Sequence, residues 1–160
     1  MVGDRDGNMD GMDALTLFDE LPFANRLGIE MESAADGEAV GTLELEEHHS
    51  SVPWKTVAHG GVTYSLADTV GGAAVFSLNQ KPTPTVDMRI DYLSPGTDLL
   101  RAEAEVVRDG GSVAVVSVDV TDGDGEIVAD ARGVYKTGGG DGETTWGDSD
   151  RVVGESEETG

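Results

Sequence analysis

Only one stretch of this chain can make a long helix, and it stands among segments that alternate. Residues 60 to about 79 are small or apolar almost throughout, and Pro82 and Pro84 forbid any continuation. Before it, Ala14 to Phe18 begins a short helix and Pro22-Phe23 leads into a loop. Ile29 to Ser33 and Ala39 to Leu45 form strands around the turn Ala35-Asp36-Gly37, and Val40 to Glu46 alternates apolar and polar as a half-buried strand does. After the long helix come four more runs of period two: Thr85 to Leu93, Leu99 to Arg108, Ser112 to Thr121 and Ile127 to Tyr135. Asp109-Gly110-Gly111 and Asp122-Gly123-Asp124-Gly125 are hairpin turns between them. A lone helix of this length cannot bury its apolar stripe unaided. An antiparallel sheet curled around it can, so the predicted fold class is α+β, with one long central helix wrapped by a sheet. Such a sheet has open edges, which predicts a dimer.

The start of the long helix carries the chemistry. His59-Gly60-Gly61 forms a turn that opens it, and Asp68 follows nine residues after the histidine among small and apolar neighbours. Glycine lets a backbone N–H approach a ligand closely. The first N–H groups of a helix have no partner within it, so they can stabilise developing negative charge. A lone carboxylate on an uncharged helix is costly to bury. At about 100° per residue, Val62, Leu66, Val70, Ala73 and Ser77 share one side. Asp68 points elsewhere, with Gly61, Tyr64, Ser65, Gly72 and Val75 as angular neighbours. That small-residue strip is expected to face a partner subunit or a ligand. An aspartate facing solvent on an ordinary amphipathic helix is the plainer alternative.

Charge narrows the partners. The chain of 160 residues has 32 acidic and 10 basic residues, for a net charge of −22. Acids run through the body (Glu44, Glu46, Glu47, Glu103, Glu105) as well as the ends, the pattern of a protein built for molar salt, where screening relieves self-repulsion. Such a surface repels phosphate, so nucleic acid is not expected as a partner. There is no cysteine, hence no disulfide, thiolate nucleophile or cysteine metal site. His48, His49 and His59 lack a spaced set of carboxylate partners, so neither a metal nor any other cofactor is expected. His48 and His49 read as incidental surface histidines. No run suits a membrane span and the polar N-terminus is not a signal peptide, so a cytoplasmic location is expected. Residues 1–12 and 138–160 are Gly-rich and acidic and are expected to be disordered, leaving 13–137 as one folded domain.

The chain also resembles a family. Leu27-Gly28-Ile29, His59-Gly60-Gly61 with Leu66-Ala67-Asp68-Thr69, the strand Thr85-Val86-Asp87-Met88-Arg89-Ile90-Asp91-Tyr92-Leu93-Ser94-Pro95 and Gly125-Glu126-Ile127-Val128-Ala129 are similar to the PaaI-like hotdog thioesterases, over roughly residues 20 to 136. The resemblance implies the hotdog fold and hydrolysis of acyl-coenzyme A thioesters, with an aryl or medium-chain acyl group. It implies Asp68 as nucleophile or as general base on a water, and the Gly60 N–H as the donor that polarises the thioester carbonyl. It implies His59 as the residue that orients the turn, and Thr85 as a hydroxyl that helps place water, although β-propensity alone would also put a threonine there. Gly61, Tyr64, Ser65 and Trp54 are candidates for substrate contact. Asp68 and Gly60 would meet from different subunits of a homodimer, itself expected to pair into a tetramer.

Two positions depart from the family pattern. Relatives often carry an asparagine where this chain has Pro53, so Ser50, Ser51 or another loop amide must substitute, or the reaction is slower. A basic residue that relatives place after the glycine of the β-hairpin is missing at Gly110-Gly111-Ser112, which leaves Arg108, Arg89 and Lys55 as cations for the coenzyme A phosphates. A non-catalytic acyl-coenzyme A binding module is therefore the alternative reading. A hydratase is a third, disfavoured because no histidine lies on the helix after His59.

Overall fold

A computed structural model describes residues 13–137; the expectations for 1–12 and 138–160 lie outside the described residues. The chain begins with α1 (Ala14–Asp19), capped by the Asp13 carboxylate on the Thr16 N–H at 2.8 Å, and α2 (Pro22–Leu27). The second corrects the expected loop at Pro22-Phe23. Proline occupies the first helical turn, where its missing N–H costs nothing, and Gly28 at φ +88° closes the helix in the left-handed region. Next come β1 (Ile29–Ala35) and β2 (Glu38–Glu44), joined through Asp36 and Gly37, both at positive φ as this tight hairpin requires. A 3-10 turn at Glu47–His49 leads towards α3 (Gly60–Asn79). Four strands complete the fold: β3 (Thr85–Tyr92), β4 (Leu99–Asp109), β5 (Val113–Thr121) and β6 (Ile127–Lys136). Only β4, β5 and β6 are a meander. β3 crosses over to pair with β6 at the sheet edge, which corrects the four-strand meander that consecutive period-two runs suggest. All six strands form one antiparallel sheet in the order β1-β2-β4-β5-β6-β3. It wraps α3, which is the hotdog arrangement. Among the described residues, no helix is long and apolar enough to cross a membrane.

Small residues on both partners let the sheet close on the helix. Ala39, Gly41, Ala102, Ala104, Ala114, Ala129 and Ala131 line the inner face, interleaved with Leu43, Leu100, Val116, Val118 and Val120. A Cβ on Gly41 would stand 2.7 Å from the Val70 side chain, so only glycine permits this approach. The helix itself is buried more widely than one stripe predicts. From Leu66 to Phe76 every residue is buried except Asp68 and Thr69. Of the small-residue strip expected to face a partner or a ligand, Gly72 and Val75 are instead buried inside the chain, and Gly71 and Gly72 together form a recess in α3. It receives the ring of Tyr135, and Gly72 also faces Phe18 of α1, whose ring meets Phe76 at 5.9 Å and 60°. The helix interior is thus shaped by an aromatic socket.

A bulge in β3 sets up the site. Thr85 pairs with Tyr135 and Asp87 with Val134, so Val86 is the extra residue. Thr85 and Met88 are three apart and would face opposite sides of a regular strand. The bulge turns both inward, one over Tyr135 and one over Gly133. On the outer face, Asp119, Asp130 and Asp91 stand directly opposite one another across β5, β6 and β3. Like charges so placed destabilise a sheet unless they are screened.

Two expectations follow. Gly71→Ala should destabilise by about 1–3 kcal/mol in chemical unfolding, because the new Cβ collides with the Tyr135 hydroxyl and outweighs a propensity gain of about 1 kcal/mol. The thermal midpoint should rise as potassium chloride goes from about 0.1 M to molar concentration, where the Debye length falls to about 3 Å, and Asp130→Asn should recover part of the low-salt deficit.

Candidate functional site

The helix N-terminus is built by competition for amides. His59 is the N-cap of α3, and its Nδ1 accepts the Gly61 N–H at 2.9 Å. The Val62 N–H goes to the His59 carbonyl at 2.9 Å. The Gly60 N–H makes no hydrogen bond among the described residues. It therefore remains available at the positive end of the helix dipole. The turn around it is held from three sides. The His59 N–H donates to the His49 carbonyl and the Ala58 N–H to the Gly96 carbonyl, both at 2.8 Å, while the Tyr92 hydroxyl donates to the Gly60 carbonyl at 2.7 Å. A Cβ on Gly60 would lie 3.2 Å from the Tyr92 ring, a tight fit. An open cleft of ≈ 340 Å³ borders this turn, between Gly60 and Thr63 on one side and Tyr92, Ser94 and Val128 on the other.

His49 corrects the reading of an incidental surface residue, being only 2% exposed. Its Nδ1 accepts the Glu46 N–H at 2.9 Å, so Nε2 carries the proton and donates to the Leu27 carbonyl at 2.6 Å. One side chain thus ties the end of α2 to the loop whose carbonyl fixes His59. His48 stacks on it with ring centroids 3.9 Å apart and is itself exposed.

Asp68 lies, with Thr69, at the opening left on the buried part of α3. Its Oδ1 accepts the Thr85 hydroxyl at 2.7 Å and the Tyr135 hydroxyl at 3.2 Å. Its Oδ2 accepts no hydrogen bond among the described residues. Burial, then the Asp68 charge, holds the Tyr135 phenol far above the usual tyrosine range, so it stays a donor. Tyr64, one helical turn before Asp68, is raised by the same two causes in the same order. A second cleft, ≈ 300 Å³, is lined in part by Thr85, the residue whose hydroxyl reaches this carboxylate. Leu17, Phe18, Leu21, Phe76, Pro82 and Pro84 complete the lining with Thr83.

The candidates are not all brought to one place. Asp68 and Thr85 are brought together, as are His59, Gly60 and Gly61. Ser65 is spent on its own helix, donating to the Gly61 carbonyl at 2.6 Å, and Trp54 stands 76% exposed in the loop before the helix. Arg89 faces the outer side of the sheet, where it pairs with Asp91 at 3.3 Å, so it is not directed at Asp68. Arg108 lies exposed near the end of β4. Neither serine beside Pro53 is free. Ser50 Oγ organises its loop, accepting the Val57 N–H at 3.0 Å and donating within the loop, and Ser51 Oγ donates to the Val57 carbonyl at 3.3 Å. Sequence reasoning missed Tyr92 and Tyr135. The signal for Tyr135 was Gly133 two residues before it on the same face of β6, an empty place beside an inward ring. Among the described residues no three His, Asp or Glu side chains gather as metal ligands would.

Proteins of similar sequence and structure identify the family. Residues 55–129 match the thioesterase superfamily model. A Halobacterium salinarum protein, an esterase in name, is 35% identical over 123 residues, covering 69% of this chain and 80% of its own. The medium/long-chain acyl-CoA thioesterase YigI of Salmonella typhimurium is 29% identical over 136 residues, covering 74% of this chain and 86% of its own. Among solved structures, the phenylacetic acid degradation protein PaaI of Thermus thermophilus superposes with a TM-score of 0.66 at 30% identity, covering 72% of this chain and 98% of its own. This chain belongs to the thioesterase superfamily, with a PaaI-like hotdog fold.

Proposed function

We propose that this protein hydrolyses acyl-coenzyme A thioesters in a site assembled by two copies of the chain. The observation that carries the reading is the pair of unspent groups on α3: an N–H at Gly60 and a carboxylate oxygen at Asp68. Thioester hydrolysis needs both kinds. An N–H donor stabilises the oxyanion of the tetrahedral intermediate, commonly by about 3 kcal/mol. A carboxylate attacks the carbonyl carbon, or takes a proton from the water that does so.

Within one chain these groups cannot share a substrate. Gly60 and Asp68 are eight residues apart, which is about 12 Å along a helix. A thioester carbon and its oxygen span far less. A two-fold partner would bring the Asp68 of one copy to the Gly60 of the other, twice per dimer. The edge position of β3 and the exposed apolar side chains of Val86, Tyr92 and Leu93 support a contact there. Pairing of two such dimers into a tetramer belongs to the same reading.

The apolar cleft at Thr85 suits the acyl group. It has no charged lining residue, and its volume is at the small end for ligand sites, which favours an aryl or medium-chain acyl group over a long chain. The coenzyme A portion is left to the cleft at Gly60 and to exposed cations such as Arg108. Non-catalytic binding of acyl-coenzyme A is the second reading, favoured by Pro53 and by the engagement of Ser50 and Ser51 within their own loop.

The test is thiol release from a panel of acyl-coenzyme A esters in molar potassium chloride. The wild type should cleave aryl or medium-chain members, and Asp68→Asn should lose about 10²-fold or more in kcat while remaining folded. Micromolar binding without cleavage would instead establish the binding module. Subunit mixing tests the assembly. Gly60→Pro removes the N–H at a position where proline suits the first helical residue, and His59 already has the extended backbone that precedes proline, φ −61° and ψ 140°. Each variant alone should be inactive. Mixing Gly60→Pro with Asp68→Asn through unfolding and refolding should restore roughly a quarter of the wild-type rate, since half the dimers are mixed and each holds one intact site. No recovery would show that the two groups do not meet across subunits.

A further inference from the structure

Tyr135 raises a question that packing does not answer. Its ring is 1% exposed and sits in a socket of three glycines. A Cβ at Gly71 would strike the hydroxyl, one at Gly133 would lie 2.7 Å from the ring, and one at Gly72 would touch the ring at 3.6 Å. Phenylalanine would fill the same socket without placing a hydroxyl in a desolvated position. The hydroxyl's partners are both on one residue: the Asp68 carbonyl at 2.9 Å and Asp68 Oδ1 at 3.2 Å. The second donor to Oδ1, Thr85, is the register partner of Tyr135 on the neighbouring strand, and the bulge at Val86 is what brings Thr85 onto the inner face that Tyr135 already occupies.

We infer that Tyr135 is a positioning residue for the reaction: with Thr85 it occupies Oδ1 of Asp68, fixes the carboxylate in one orientation and leaves Oδ2 as the atom that meets the thioester carbon or the attacking water. This rests on the reading of Asp68 as the reacting carboxylate. A carboxylate free to turn about χ1 and χ2 would spend much of its time misdirected, and small misplacements of a reacting group are costly in rate. Two hydroxyls on one oxygen, from two strands of one sheet, remove that freedom. The single phenolic proton is shared between Oδ1 and the Asp68 carbonyl, so it ties the carboxylate to the backbone from which it projects. Burial and the neighbouring charge keep the phenol protonated, so it donates rather than exchanging a proton with substrate.

The experiment is Tyr135→Phe, which keeps the ring in its socket and removes only the hydroxyl. In the ester assay kcat should fall about tenfold or more with KM within about twofold, because orientation is lost and the binding clefts are untouched. In an Asp68→Asn background the same substitution should cost nothing further, since Tyr135 acts through that carboxylate. A hydroxyl that merely fastens β6 to α3 would lower the thermal midpoint and leave kcat alone, and that result would overturn the inference. If the wild type cleaves no ester, the catalytic reading fails on its own. The crystal structure of Tyr135→Phe then decides the positioning claim: Asp68 spread over several rotamers supports it, and an unmoved single rotamer overturns it.

Discussion

The burial of α3 governs the rest of this molecule. A helix enclosed by a six-stranded sheet can hold few polar groups, and each must find a partner or an opening. Between Leu66 and Phe76 the opening is confined to Asp68 and Thr69. Small residues on helix and sheet let the two approach closely, and where glycine leaves too much space an aromatic ring fills it. Tyr135 and Phe18 are those rings. The enclosure therefore produces the site. The same packing that excludes water from the core leaves one carboxylate at its margin, with two hydroxyls holding one oxygen.

At the other end of α3 the controlling fact is a shortage of acceptors. A helix begins with N–H groups that its own turns cannot satisfy. His59 satisfies one of them through Nδ1, taking the Gly61 N–H and leaving that of Gly60. Had the N-cap accepted from a different amide, the free donor would point elsewhere. The buried His49 matters for the same reason. Its ring is fixed by one accepted and one donated hydrogen bond, and its own carbonyl fixes the His59 backbone. The direction of one free amide thus depends on contacts that reach back to Leu27.

The sequence made the long helix, the alternation of the strands and the His59–Asp68 spacing readable, because these depend on local periodicity and on residue types with narrow uses. Thr85 beside Asp68 was reached only through resemblance, since a threonine in a strand needs no special reason. What escaped were features set by tertiary contact. Pro22 and Gly28 are helix signals that only work as a pair six residues apart, and a segment that short is marginal without the core against which Ala24 packs. His49 looks like any loop histidine until the backbone groups around it are placed. Tyr135 looks like an ordinary strand aromatic, because its partner lies 67 residues earlier in the chain. The outward direction of Arg89 was hidden for a simpler reason. The parity of β3 depends on a bulge at Val86, and a pattern of period two cannot reveal where it breaks.

Charge joins stability to the proposed chemistry. A chain with a net charge of −22 repels itself and would also repel an anionic ester. The row of Asp119, Asp130 and Asp91 is the local form of the first problem. The second would ordinarily be met by basic residues at the substrate site. Here Arg89 is bound to Asp91, and Arg101 lies between Glu32 at 2.7 Å and Glu103 at 3.2 Å. Molar salt answers both problems at once, since a Debye length of about 3 Å reduces the long-range repulsion within the chain and between chain and ligand alike. What survives such screening is short-range: the fixed amide of Gly60, the carboxylate of Asp68 at contact distance and the apolar cleft at Thr85. A site built from these three depends little on a long-range cationic field, even where a cation such as Arg108 meets the ligand at contact distance, and that makes it compatible with so acidic a surface.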